Sequence, residues 1–191
     1  MTVIDDLPDQ RARFGTPAKA AFVGVVTLLV VWGLALGLRW WTHPDLLPDH
    51  GDGMNADPHP VADAALAAAV TFPDAGGSPT TLTFHDARAV LDDDSARSRP
   101  TFVICRSRSR DTIIGYVGGD LSAYCSSVRP LVDGTQLSYP SPDEYVVVVV
   151  TPTRRGTTHL ARVDLDYSLG ASRLFRHGTD SVAMDVRVSA R

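Results

Sequence analysis

Apolar and polar positions divide the chain into stretches of different period. Residues 20–38, AAFVGVVTLLVVWGLALGL, run 19 positions without a charge. A helix of that length is about 28 Å long, close to the hydrocarbon thickness of a bilayer. Trp40 and Trp41 follow directly, where an interfacial aromatic belt would sit. The run exceeds the usual apolar core of a secretory signal, and no good small-x-small cleavage site follows it, so an uncleaved anchor is expected. Arg11, Arg13 and Lys19 precede the run; after it comes Arg39, then no Lys or Arg until Arg88. The positive-inside rule puts residues 1–19 in the cytoplasm as a short tail and everything after the span outside. Gly33 and Gly37 form a small-xxx-small pair, a candidate helix–helix contact for a homodimer.

Beyond the span the period changes. Residues 42–60 are rich in Pro, Gly, Asp and His, lack hydrophobic periodicity and read as a flexible tether. The alanine-rich stretch 61–69 reads as a short helix, or as a helical turn leading into a hairpin with 80–84. HDARAVLDDD at 85–94 places Ala87, Val90 and Leu91 on one side of a helix. From Pro100 onward the pattern is β. YVVVVV, 145–150, is β-branched on both parities, as expected of a central strand covered on both faces. Ala161, Val163, Leu165 and Tyr167 alternate with Arg162, Asp164 and Asp166; Val182, Met184, Val186 and Val188 alternate with Ala183, Asp185, Arg187 and Ser189. Each is the period of a half-buried antiparallel strand. The expected fold is therefore a single transmembrane helix, 20–41, with a mainly-β extracytoplasmic domain, 61–191. Within it an antiparallel, immunoglobulin-like β-sandwich over about 80–191 is favoured. An α+β domain using helices near Val61 and Asp86 is the alternative.

Composition narrows the function classes. A net charge of −4 argues against a nucleic-acid binder. No P-loop, dinucleotide, zinc-protease or nucleophile-elbow motif is present. His85, His159 and His177 are scattered, and no Ser/His/Asp grouping is readable from spacing; either of these beside an Asp and a Ser would revive an envelope hydrolase. The histidines and aspartates of the tether, His43, His50 and His59 with Asp45, Asp49, Asp52 and Asp57, are suitable ligand types without the spacing of a closed site. Asp92, Asp93 and Asp94 lack EF-hand spacing, and Asp164 and Asp166 read as a solvated face. No metal, cofactor or catalytic residue is expected.

Two features in 104–127 carry the remaining chemistry. Cys105 and Cys125 are the only cysteines, on the side read as oxidising, so a disulfide is expected. Arg106, Arg108 and Arg110 share strand parity with Ile104 and form a candidate face for an anionic partner, with Asp111 and Asp120 as local neutralisers; Cys105 shares the parity of Val103 and is expected toward the core. Together these readings describe a non-catalytic, membrane-anchored accessory, assembly or binding protein of a bacterial envelope with a protein partner there. A hydrolase or a ligand-sensing receptor ectodomain is the alternative.

Overall fold

The computed structural model describes residues 17–42, 46–47, 53–72, 76, 78–108, 116–118, 120–170 and 177–191. The chain divides into an N-terminal unit, Met1–Arg39, and a second, Trp40–Arg191, that holds every strand. One helix, α1 (Pro17–Thr42), contains the apolar run. Proline suits a first helical turn, where its missing N–H has no partner to lose. The segment Ala21–Trp41 is long and apolar enough to cross a membrane, and its described side chains are exposed. A Cβ built on Gly33 or Gly37 would meet no atom within 4 Å, so the face bearing them is open.

Among its described residues the second unit contains ten strands: β1 (Met54–Asn55), β2 (Leu66–Ala69), β3 (Thr80–Asp94), β4 (Arg99–Ser107), β5 (Tyr116–Val117), β6 (Cys125–Pro130), β7 (Gln136–Tyr139), β8 (Glu144–Thr151), β9 (Gly156–Leu169) and β10 (His177–Ala190). They form two five-stranded sheets, β1-β10-β9-β3-β7 (sheet I) and β5-β2-β8-β4-β6 (sheet II). Every pairing is antiparallel except β1 with β10. The main core lies between the sheets: Leu82, Phe84, Val163, Leu165, Tyr167, Val182 and Val186 from sheet I meet Leu66, Val70, Ile104, Val146, Val148 and Val150 from sheet II. A second cluster covers the other face of sheet II, where Tyr145, Val147 and Val149 pack with Ala67, Ala69, Leu121 and both cysteines. Strand β8 is thus buried on both faces, the environment its uninterrupted valines require.

Several expectations are corrected. Residues 85–94 are not a helix; they continue β3. Register shifts near His85 and Asp92 break the alternation, so Phe84, Ala87, Ala89 and Leu91 turn inward at uneven spacing. The expected helical stripe, Ala87, Val90 and Leu91, is not the inward set, because Ala89 takes the place of Val90. Residues 61–69 are not a helix either: only Val61–Asp63 makes a 3-10 turn, and Leu66–Ala69 is a fully buried strand beside β8. Small side chains suit a strand packed closely on both faces. Because β2 and β3 lie in different sheets, they form no hairpin. Ala161 does not continue the inward row of Val163, Leu165 and Tyr167, because a register shift turns Leu160 inward instead.

The expected tether is the largest difference. Leu47 is a buried core residue, and its N–H donates to Asp180 Oδ2 at 3.0 Å. Asp180 is itself buried and also accepts from the Tyr167 hydroxyl at 3.2 Å. Farther on, β1 pairs with Val186 and Arg187, and His59 bridges to Ala190. Leu47, Met54 and His59 therefore track Asp180, Val186 and Ala190 in the same direction along β10. The segment is a strap on the edge of sheet I, which shields backbone groups an edge strand would otherwise present. His43, Asp45, Asp49, His50 and Asp52 lie outside the described residues.

Candidate functional site

Cys105 and Cys125 are joined, with Cα atoms 5.5 Å apart. Strands β4 and β6 are neighbours, so the bridge ties two chains already in register. Its facing differs from expectation: Ile104, with the arginines' parity, enters the main core, whereas Cys105 lies in the second cluster on the opposite face of sheet II.

The arginines do not act as one row. Arg106 pairs with Glu144 at 3.0 Å, and Arg129 binds the other oxygen of that carboxylate at 3.1 Å. Arg129 also donates to the Gln136 carbonyl at 2.7 Å, joining sheet II to β7 of sheet I. Past a register shift at Arg106/Ser107, the Arg108 Nε donates to the carbonyls of Ser122 and Cys125 at 2.9 and 3.2 Å. Arg108 thus holds the 3-10 turn Leu121–Ala123 that covers the second cluster. Among the described residues the acid paired with Arg106 is Glu144, its register partner on the neighbouring strand β8; Asp120 accepts from the Ser122 N–H, which lowers its pKa. Arg110 and Asp111 lie outside the described residues.

One histidine does meet an aspartate and a serine. His85 Nδ1 lies 3.2 Å from Asp133 Oδ1, and its Nε2 lies 2.9 Å from Ser168 Oγ. The order is that of a hydrolytic triad. Accessibility argues otherwise: Ser168 is 1% exposed. A buried hydroxyl needs a hydrogen-bond partner, and the imidazole supplies one.

A different grouping is open. Cross-strand register places Asn55 opposite Arg187, Arg187 opposite His159 and His159 opposite Asp93. Four polar side chains from β1, β10, β9 and β3 thus form one row across the outer face of sheet I. At about 4.8 Å per strand spacing the row is about 14 Å long. Ser189 and Thr157 form the adjoining pair, and the six residues line a cavity of about 380 Å³. His159 Nε2 lies 2.7 Å from Asp185 Oδ1, and its Nδ1 lies 3.7 Å from Asp92. Asp185 adopts a φ of +41°, a strained conformation for a non-glycine residue, at the irregularity where β10 slips against β9. Gly53 of the strap lies against it: a Cβ there would stand 2.6 Å from Asp185 Oδ2. The Thr157 hydroxyl, 2.6 Å from Asp93 Oδ2, and the Ser95 N–H hold the Asp93 pKa below its ordinary value. Asp94 serves the fold instead, accepting from Ser98 N–H and Thr158 hydroxyl at 2.7 and 2.8 Å.

Sequence reasoning missed this row. Its members are outward polar positions on four strands distant in the chain, and the one available signal was the alternation that left Arg187 and Ser189 outward. Among the described residues, no three His, Cys, Asp or Glu side chains converge as metal ligands. No protein-family model and no curated protein matches the chain.

Proposed function

We propose that this chain is a single-pass membrane protein of a bacterial envelope, with its N-terminus in the cytoplasm and its β-rich domain outside. In this reading it is a non-catalytic binding or assembly module, an immunoglobulin-like sandwich whose partner docks on the polar row of sheet I. The observation that carries the reading is the bonded Cys105–Cys125 pair following an exposed apolar helix. Charge asymmetry around the helix and the oxidation state of the cysteines are independent features, and both favour an oxidising compartment for the sandwich. The anchor is tested by alkaline carbonate extraction and by protease added outside intact cells. We expect retention in the membrane and digestion of the sandwich; release by carbonate, or protection from external protease, refutes the topology. Crosslinking through a photoreactive residue at Asn55 then tests the module. A specific adduct absent when the probe sits at Arg97 supports it, and recovery only as uncrosslinked monomer counts against it. Pairing of helices through Gly33 and Gly37 is a separate element, tested by Gly→Leu at both positions and a self-association assay.

The His85–Asp133–Ser168 contacts favour one competing reading, an envelope hydrolase. A fluorophosphonate probe decides between them. We expect no labelling of the native protein; labelling that disappears in Ser168→Ala would replace the binding reading with a catalytic one.

A further inference from the structure

We propose that the polar row of sheet I is a saccharide-binding site, and that its ligand clamps the strap onto the sandwich. The inference rests on the binding-module reading and names its ligand. The argument is by chemistry. An anion is disfavoured because Arg187 is the only permanent cation of the row, with Asp92, Asp93 and Asp185 around it. A metal is disfavoured because no trio of ligand side chains converges among the described residues. An apolar ligand would leave the polar groups of the lining without partners, Ala56 being the one aliphatic residue there. An amine would have to share each carboxylate with partners already bound, His159 on Asp185 and Thr157 and Ser95 on Asp93.

What stays on offer is a mixture of donors and acceptors. Asn55 has both, Arg187 donates through a planar fork, Ser189 is a hydroxyl, His159 keeps its Nδ1 while Nε2 is held by Asp185, and Thr157, whose proton goes to Asp93, keeps lone pairs to accept with. A chain of sugar hydroxyls, each both donor and acceptor, matches such a set. The cavity, about 380 Å³, lies within the range of ligand sites, and a row about 14 Å long suits an extended oligomer over a compact solute. The geometry is prepared in advance: paired carboxylates hold His159, and a strained Asp185 is seated against Gly53.

The strap enters because Asn55 and Ala56 form one wall. Backbone links hold that wall to β10, Ala56 N–H to Arg187 O at 3.0 Å, His59 N–H to Ser189 O at 3.1 Å and Arg191 N–H to His59 O at 2.8 Å, with Leu47 and Met54 packed on the core. A ligand touching Asn55 together with Arg187 and His159 favours the docked strap by its differential affinity for that state. The site thereby couples occupancy to the segment leading to the helix.

The test uses the full chain in nanodiscs, titrated with cellohexaose, chitohexaose and maltohexaose, with spermidine and inorganic phosphate as charged controls. We expect saturable binding of at least one oligosaccharide. His159→Ala and Arg187→Ala should each weaken it about tenfold or more, and Arg154→Ala should not. Amide exchange at Ala56 and His59 should slow about tenfold at saturation. Binding of spermidine or phosphate but of no sugar overturns the saccharide assignment; so does silence from every probe. Binding without slowed exchange at Ala56 and His59 overturns the clamp. A protein crosslinked at Asn55 with no sugar bound would sink this inference while leaving the binding module standing. Carbonate release of the chain would sink the envelope reading whatever the sugars do.

Discussion

Replacing both cysteines by alanine should destabilise the sandwich by about 3 kcal/mol. The figure comes from the loop the bridge closes: Cys105 and Cys125 are 20 residues apart. Closing a loop of that size removes about 11 cal/mol/K from the unfolded chain, or about 3 kcal/mol at room temperature. Both residues are buried, so lost packing adds to the loss. With a urea slope of about 2 kcal/mol/M, the midpoint should fall by about 1.5 M. The probe must be chosen with care. All three tryptophans, Trp32, Trp40 and Trp41, lie in α1, so a probe within the strands is preferred to their emission. Pulse proteolysis in urea, or near-ultraviolet circular dichroism of buried Tyr145 and Tyr167, reports on the correct unit. Amide exchange should accelerate first in β6, the edge strand that the bridge ties to β4. A midpoint lowered by less than about 0.5 M, with the slope unchanged, would refute the reasoning, because the bridge would then restrain little that β4–β6 pairing does not. Two reactive thiols in the denatured, unreduced native protein would remove its premise.

Other consequences are equally direct. Leu47→Ala should cost about 2–4 kcal/mol and speed amide exchange at Ala56 and His59; a free tether would show neither. Gly156→Ala should cost about 1–3 kcal/mol in thermal unfolding, since φ there is +146° and a Cβ would stand 2.7 Å from the Ser95 carbonyl carbon. Ser168→Ala should cost about 1–3 kcal/mol by leaving the partly buried His85 nitrogen without that partner; unchanged stability would show that the contact does not support the fold. Asp93 has a depressed native pKa, so its contribution to stability is present above its ordinary value of 3.8 and is lost as pH falls through the lower native value. Thr157→Val should move the Asp93 midpoint upward in an NMR titration and shift that loss to higher pH; an unmoved midpoint would show that the hydroxyl is not the cause.

How much was legible follows element by element. YVVVVV and the alternation in β10 were readable because each keeps one side-chain period throughout, so burial is written directly into residue type. Strand β3 was misread because its pairing shifts near His85 and Asp92 and two of its inward residues, Ala87 and Ala89, are small, so residue type does not mark the period. The strap was misread for another reason: Pro, Gly and Asp mark the absence of regular structure, and nothing local signals that β10 has a free edge waiting for it. The partners of Arg106 and Arg108 were not legible, because Glu144 and the carbonyls of Ser122 and Cys125 come from elsewhere in the chain and a register shift separates the two arginines.

By itself the sequence determined an apolar helix, a β-rich domain and the one cysteine pair available to bridge. These follow from residue type and near-neighbour period, which are local properties. Tertiary structure alone decided the sheet order, the second core over β8, the docking of the strap and the row of Asn55, Arg187, His159 and Asp93. Each of those depends on cross-strand register. Register joins residues up to 132 positions apart in the row itself, the separation of Asn55 and Arg187, and no window of the chain contains that distance.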